Sequence, residues 1–299
     1  MLRGLNPQQI AAITESGNVL LTACPGSGKT RALTYKIAYE LERLTSQKKI
    51  IIAVTFTNRA ADEIKKRIRN LNTDDSNLWA GTIHSFCLEW IIRPYMCYSK
   101  ELKNGFSIAD EFYSENLIDN LKKEYGLNYW TEISTRYLTS GELDEIENIE
   151  LINEYHDYLK NDRLIDFDQI LYYAYKLISE LPQISEILKN MFHLICVDEY
   201  QDTQELQYGI LGKIMQGKSG QCKMFIVGDV DQAIYGSLGG TAKSKDEIKR
   251  EFNIDITQKE LSGNYRSNQG IINYYKNFQT SDIEIIALGE NAEENAKIT

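Results

Sequence analysis

The sequence predicts an α/β fold, a parallel sheet flanked by helices and interrupted once by a helical subdomain. Three observations predict it. Apolar, β-rich runs alternate with helical patterns in the first third of the chain; the alternation lapses between about Pro94 and Asn190, where Tyr, Leu, Ile and Glu recur at helical spacing; and it resumes from His193. Strands that alternate with helices imply β-α-β units and hence a parallel sheet. The expected organisation is a discontinuous unit, residues 1–93 and 191–299, with residues 94–190 inserted as a helical subdomain.

Val19–Thr22 reads as a strand that leads into a Gly-rich turn and a helix from about Gly28 to Leu44. Ile50–Thr57 is a β-rich run entering a helix from about Asn58 to Ile68, and Leu78–Thr82 precedes a helix from about His84 to Ile92. After the insertion come a strand at His193–Val197, a helix at Gln204–Met215 and a strand at Met224–Val227, with a last pair at Ile254–Leu261 and Asn268–Phe278. Only four prolines occur, which leaves room for long regular elements.

Composition narrows the class. A chain of 299 residues with 42% hydrophobic and 25% charged residues fits a soluble globular protein of one large domain or two modest ones. Apolar runs such as Ile50–Val54 are too short to span a bilayer, and Met1–Pro7 contains no stretch of signal-peptide type, so no membrane role and a cytoplasmic location are expected. The five cysteines, Cys24, Cys87, Cys97, Cys196 and Cys222, lack C-x-x-C spacing, which argues against a disulfide framework and against a zinc site. His156 and His193 have no partners at metal spacing. The net charge of −10 speaks against a protein that coats nucleic acid. Arg59, Lys65, Lys66, Arg67 and Arg69 nonetheless share one predicted helix, a pattern equally suited to a solvated helix face.

Two motifs carry chemistry. Ala23-Cys24-Pro25-Gly26-Ser27-Gly28-Lys29-Thr30 follows a short strand and opens a helix, the context a P-loop requires. There the backbone of Pro25, Gly26, Ser27 and Gly28 can turn inward around phosphate oxygens, with the positive end of the helix dipole behind it. Lys29 would reach the terminal phosphates and the Thr30 hydroxyl would hold Mg2+. The usual pattern begins with Gly, where this chain has Ala23. The apolar run His193–Val197 ends in Asp198-Glu199, so Asp198 is placed to hold Mg2+ and Glu199 to orient and deprotonate a water. Two such motifs at strand ends predict a P-loop NTPase that binds a nucleoside triphosphate with Mg2+.

Further motifs lie around these two. They are Leu5-Asn6-Pro7-Gln8-Gln9, Thr55-Phe56-Thr57-Asn58-Arg59-Ala60-Ala61, Gly81-Thr82-Ile83-His84-Ser85-Phe86, Asp166-Phe167-Asp168, Asp198-Glu199-Tyr200-Gln201-Asp202-Thr203, Val227-Gly228-Asp229-Val230-Asp231-Gln232-Ala233-Ile234-Tyr235-Gly236 and Asn264-Tyr265-Arg266-Ser267. In this order they resemble the UvrD/Rep-type superfamily 1 DNA helicases, in their N-terminal, RecA-like ATP-binding motor domain. The resemblance implies that Gln9 contacts the adenine edge, that Arg31 flanks the base and that Tyr265 stacks on it. It implies that Gln232 senses the γ-phosphate and that Arg266 touches it, which with Lys29 and Glu199 makes the catalytic set. Phe56, Thr57, Asn58, His84 and Tyr235 are implied to face single-stranded DNA, His84 by a hydrogen bond linking the ATP and DNA sides. The implied activity is ATP hydrolysis coupled to 3′-to-5′ movement on single-stranded DNA, once a second motor domain completes the site.

Two departures qualify the resemblance. After Tyr235-Gly236 the family usually carries W-R-G-A, whereas Ser237-Leu238-Gly239-Gly240 stands here, so weaker or differently organised DNA contact is expected. The motifs of a second motor domain do not follow Arg266 before Thr299, so a second lobe in the same protein or in a partner is expected. Two other readings stay open: a helicase-like ATPase subunit that regulates a nuclease in DNA repair or anti-phage defence, and a nucleotide-dependent DNA-sensing module.

Overall fold

A computed structural model describes residues 2–144, 147–233, 236, 239–290 and 292. In chain order the helices are α1 (Pro7–Thr14), α2 (Lys29–Leu41), α3 (Asn58–Asn70), α4 (Ile83–Phe86), α5 (Arg93–Tyr95), α6 (Glu111–Glu124), α7 (Ile149–Asn161), α8 (Phe167–Glu180), α9 (Pro182–Met191), α10 (Glu205–Met215), α11 (Lys245–Phe252) and α12 (Gln269–Tyr275). The strands are β1 (Asn18–Ala23), β2 (Ile50–Thr55), β3 (Leu78–Thr82), β4 (Ser107–Ile108), β5 (Leu164–Ile165), β6 (Phe192–Val197), β7 (Lys223–Gly228), β8 (Ile256–Leu261), β9 (Gly263–Asn264) and β10 (Ile286–Ala287).

The chain divides into two compact units, one of Met1–Ile83, Glu186–Gln204 and Met215–Thr299, the other of His84–Ser185 and Glu205–Ile214. The expected break after residue 93 falls inside a continuous helical run, since α4, a π-helical turn at Cys87–Ile92, α5 and a 3-10 turn at Met96–Tyr98 follow without interruption. The break therefore lies at the start of that run. Most of α10 also belongs to the second unit, although strand-helix alternation indicates only that a helix occurs there.

The first unit is built on a six-stranded sheet in the order β3-β2-β6-β7-β1-β8. Every pairing in it is parallel, with Leu21 beside Val227, Ala23 beside Leu261, Val54 beside Val197 and Val197 beside Ile226. The central strands are apolar on both faces because helices cover both, as parallel sheets require. Leu21, Ala23, Ala53, Cys196 and Val227 pack with Ala32, Leu33 and Ile37 of α2 and with Ala61, Ile64 and Ile68 of α3 in one core. The ends of β6, β7, β1 and β8 thus lie side by side along one edge. Behind β8 a smaller piece, β9 with β10 and α12, buries Ile272, Ile283 and Ile285 against Cys24.

The second unit is helical, but it also holds a parallel pair, β4 with β5, that its composition did not announce. Its core gathers Ala109, Leu121, Leu151, Tyr155 and Leu159. Asp166 caps α8 by accepting from Gln169 N at 2.7 Å, and it also accepts from Tyr155 Oη at 2.8 Å. Charge divides unevenly between the units. Residues 84–185 carry 9 Lys and Arg against 19 Asp and Glu, which equals the chain's whole net charge of −10. Among the described residues no helix is long and apolar enough to cross a membrane.

Lys36 of α2 is fully buried in the first unit. Its ammonium donates to Ile13 O at 3.1 Å and Glu15 O at 2.7 Å and pairs with Glu40 at 2.8 Å. Glu40 in turn meets His193 Nε2 at 2.8 Å and Lys223 at 3.5 Å. Burial alone would raise the Glu40 carboxyl, but hydrogen bonds from His193 and Lys36 and the charges of Lys36 and Lys223 hold it near 2. Because this pKa lies below its ordinary value of 4.5, the stabilisation is complete above about 4.5 and is lost as pH falls toward 2. Glu40→Gln leaves the Lys36 ammonium buried without its counter-charge and is expected to cost about 3–5 kcal/mol at pH 7. Urea denaturation measures that cost. The variant's stability should also vary less than wild type between pH 4.5 and 2.

Candidate active site

Parallel strands place the loops that follow β1, β6, β7 and β8 at one edge of the sheet, and the candidate phosphate-site residues sit in those loops or open the helix that follows β1. After β1 the chain turns through Pro25–Gly28 and starts α2 at Lys29, with Gly28 as the N-cap. Ala23 replaces the usual first glycine without strain because it is still strand, paired with Leu261. Gly26 cannot be replaced in that way. Its φ is +72°, and a Cβ there would stand 2.8 Å from Asn264 Oδ1 and 2.9 Å from Arg266 Cβ. Ser27 is buried and donates its hydroxyl to Cys24 O at 2.7 Å, which closes the loop.

Two segments clamp this loop. Gln9 of α1 donates from Nε2 to Ser27 O at 3.0 Å. On the other side Asn264 Nδ2 donates to Pro25 O at 2.8 Å and Tyr265 N to Gly26 O at 3.0 Å. Asn264 Oδ1 accepts from Arg266 N and Ser267 N, both at 2.8 Å, and so sets the turn that presents Tyr265 and Arg266. Tyr265 Oη accepts from Asn6 Nδ2 at 2.7 Å, while Asn6 Oδ1 caps α1 through Gln9 N at 2.7 Å. The Arg31 guanidinium donates to Gly4 O at 3.0 Å and lies 5.7 Å from the Tyr35 ring centroid. A cavity of about 380 Å³ adjoins Tyr265 and Arg266, lined also by Ser267, Leu288, Gly289 and Glu290.

The Lys29 ammonium is the centre of the site. It donates to Glu199 Oε2 and to Gln232 Oε1, each at 3.0 Å, and Asp229 Oδ2 stands 4.0 Å away. Glu199, just past β6, has left-handed backbone at φ +50°, a strained state for a side-chain-bearing residue. Asp198 Oδ1 accepts from Glu199 N at 3.1 Å and helps to hold that turn. Burial pushes the Asp198 carboxyl up to about 7, with a further push from Glu199 and partial relief from Lys29. Burial likewise raises Asp229 to about 6, again partly offset by Lys29. Asp229 Oδ2 is buried without a hydrogen-bond partner. Three carboxylates facing one ammonium leave an excess of negative charge, which fits a divalent cation. Among the described residues no group of three or more His, Cys, Asp or Glu could hold a metal by itself. Asp198 and Thr30 are the residues here that could hold a Mg2+ ion, with phosphate oxygens completing its shell.

Gln201 joins the loops after β6 and β7. Its Nε2 donates to Glu199 Oε2 at 2.9 Å and its Oε1 accepts from Asp229 N at 3.0 Å. Gln201, Asn264 and Asn6 lie within the quoted motifs but had been given no role. The signal for Asn6 was available, since an Asn before Pro7 with Gln9 three positions on is a capping box.

The residues expected to face DNA are placed less closely. Phe56 is 54% exposed in the loop after β2, Thr57 caps α3 by accepting from Ala60 N at 3.2 Å, and Asn58 opens that helix. Of the clustered basic residues, Arg67 pairs with Glu63 and Arg69 with Asp75, each at 2.8 Å. His84 belongs to the helical unit, where it meets Phe167 edge-on at 5.4 Å, and burial lowers its imidazole to about 4. Tyr235, like Ser237 and Leu238, lies outside the described residues.

Residues 5–253 match the model of the family described as UvrD/REP helicase N-terminal domain. The chain is 30% identical over 303 residues to the ATP-dependent DNA helicase UvrD1 of Mycobacterium leprae, covering 91% of this chain and 39% of that protein. It is 29% identical over 293 residues to the ATP-dependent DNA helicase PcrA of Staphylococcus aureus, covering 91% of this chain and 39% of that protein. The chain thus spans about two fifths of the length of these relatives. A solved structure titled "Structural Basis for DNA Unwinding at Forked dsDNA by two coordinating Pif1 helicases" aligns with a TM-score of 0.38 and 15% identity, over 94% of this chain and 50% of that one.

Gly228 ends β7 where the Gln201 amide crosses it, and a Cβ there would collide with Gln201 Oε1 and stand 2.5 Å from Tyr200 Cδ1. Gly228→Ala is expected to cost about 1–3 kcal/mol in denaturant unfolding, the usual cost of overpacking a filled site. Gly17→Ala, where a Cβ meets nothing within 4 Å, should stay within about 0.5 kcal/mol of wild type.

Proposed function

The chain belongs to the UvrD/REP helicase N-terminal domain family, and from that premise we propose that it is the ATP-binding motor domain of a DNA helicase or translocase. ATP hydrolysis there drives 3′-to-5′ movement along single-stranded DNA in the cytoplasm once a second motor domain completes the site. The motor is the unit around the six-stranded sheet, and the helical unit is its insertion. The observation that supports the reading best is the Lys29 ammonium, shared at 3.0 Å between Glu199 and Gln232 at the ends of adjacent strands. Both partners are acceptors that phosphate oxygens can replace.

In this reading Lys29 exchanges Glu199 and Gln232 for the terminal phosphates, which frees Glu199 to orient and deprotonate the attacking water and Gln232 to meet the γ-phosphate. The amides of Pro25–Gly28 and the start of α2 cradle the phosphates. Tyr265 stacks on adenine opposite Arg31, with Gln9 on the base edge. Arg266 neutralises charge that spreads over the γ-phosphate oxygens in the transition state. Mg2+, held by Thr30 and Asp198, neutralises phosphate charge when bound. Phe56, Thr57 and Asn58 of the sheet unit would contact DNA, where an aromatic ring gives bases a sequence-tolerant stacking surface; for His84 and Tyr235 a DNA contact rests on the family resemblance alone.

A second reading, a helicase-like ATPase that regulates a partner nuclease, draws on the charge of −10 in residues 84–185, since such a surface repels phosphate and suits a protein partner. ATP binding and turnover by this chain, with and without single-stranded DNA, test the first reading. Mg2+-dependent ATP binding is expected, and Lys29→Ala should abolish it. Turnover should lie on the order of 10³-fold or more below that of the two-lobed enzyme, the range associated with a missing arginine finger. ATP binding that survives Lys29→Ala would sink the assignment. Brisk DNA-stimulated turnover by this chain would show that it needs no second lobe.

A further inference from the structure

Asp231 has no part in the site described above, yet it is among the most heavily engaged carboxylates in the motor unit. It sits in the 3-10 turn Val230–Gln232, one residue before Gln232. Its Oδ1 accepts from Thr280 N and Thr280 Oγ1, each at 2.7 Å, and from Ser281 N at 2.9 Å, and its Oδ2 accepts from Ser281 Oγ at 2.6 Å. Four donors on one carboxylate, two of them backbone N–H groups, make a fixed anchor of charge-assisted hydrogen bonds. The anchored turn is itself braced, since Gln279 Nε2 donates to Ser281 O at 2.9 Å and to Ile283 O at 2.6 Å. It lies beyond α12 from Arg266, so α12 carries Arg266 before its first turn and the anchored turn after its last.

The anchor continues inward through three hydrogen bonds. Asp231 N donates to Asp229 Oδ1 at 3.1 Å, Asp229 N to Gln201 Oε1 at 3.0 Å and Gln201 Nε2 to Glu199 Oε2 at 2.9 Å. Glu199, the Gln232 turn and the Thr280–Ser281 turn are therefore one connected strap. Nothing in the phosphate chemistry requires the outer half of it.

We infer that Asp231 is a positioning residue, which acts through Gln232 by holding the β7 turn against the Thr280–Ser281 turn so that Gln232 and Arg266 meet the γ-phosphate in register. The inference rests on the nucleotide-binding reading above and assigns that site a determinant of γ-phosphate discrimination. A rigid link of this kind acts on the state in which a γ-phosphate is present and leaves binding of the diphosphate alone. Connected hydrogen bonds do not by themselves establish energetic coupling, so the test has to measure coupling.

The experiment is calorimetric titration of this chain with ADP and with the non-hydrolysable triphosphate AMP-PNP, both with Mg2+. Wild type should bind AMP-PNP more tightly than ADP. Asp231→Ala should cut that preference about tenfold, within the usual range of coupling between sites, with ADP affinity held within about threefold. Asp231→Asn, which keeps Oδ1 as an acceptor for both backbone N–H groups, should restore part of the preference. Thr280→Ala/Ser281→Ala, made on a surface turn, removes the two hydroxyl donors and should lower the preference in the same direction if Asp231→Ala fails to fold. In the Gln232→Ala background, Asp231→Ala should change the preference no further. Equal weakening of ADP and AMP-PNP, an unchanged preference, additive effects with Gln232→Ala, or a wild-type preference near one would each overturn the inference. A wild type that binds neither nucleotide removes the nucleotide-binding reading itself, and that outcome is distinct from all of these.

Discussion

All six strands of the main sheet run the same way, and the rest of the unit built on it depends on that constraint. A parallel sheet releases every strand's C-terminal loop at one edge, and the order β3-β2-β6-β7-β1-β8 sets β6, β7, β1 and β8 next to one another. Segments separated by well over a hundred residues in sequence thereby converge within hydrogen-bond distance of Lys29. The pairings of Ala23 with Leu261 and of Val197 with Ile226 fix where each loop departs, and a slip of one residue would turn every inward side chain outward. The apolar core beneath the edge therefore acts as a positioning device for polar groups that it does not itself contain.

The electrostatics at that edge are unbalanced by construction. Asp198 and Asp229 are buried, and burial pushes each toward its neutral form, with only partial relief from Lys29. Such an arrangement is unfavourable alone, and an added cation would relieve it. The strained backbone of Glu199 belongs to the same pattern, since a left-handed residue persists only where its surroundings over-determine it. The contrast with Lys36 and Glu40 is instructive. There each charge has its counterpart in place, and the function of the group is the fold itself.

Much of this was legible in the sequence, and the limits have physical causes. Strand-helix alternation predicted the parallel sheet, and the Gly-rich turn and the Asp-Glu pair at strand ends predicted which loops meet, because both signals are local. The compact helical unit starts at His84, whereas the sequence pattern suggests a break after residue 93, since a helical run shows no seam in its periodicity where one packing unit ends and another begins. The β4–β5 pair is too short for a period-2 pattern to register. Gln201, Asn264 and Asp231 were visible as letters within motifs, but their partners lie 28, 239 and 49 residues away in sequence. Only the tertiary structure supplies those partners. Asn6 was half-legible, its cap readable from Pro7 and Gln9 and its bond to Tyr265 not.

The confinement of the net charge to residues 84–185 has a consequence for encounter with any polyanion. The motor unit is close to neutral and so sets up little long-range field of its own. The helical unit repels, over a Debye length of about 8 Å at physiological ionic strength. Added salt screens that repulsion. On net charge alone, a polyanion would be turned away from residues 84–185 more than it would be drawn to the rest of the chain.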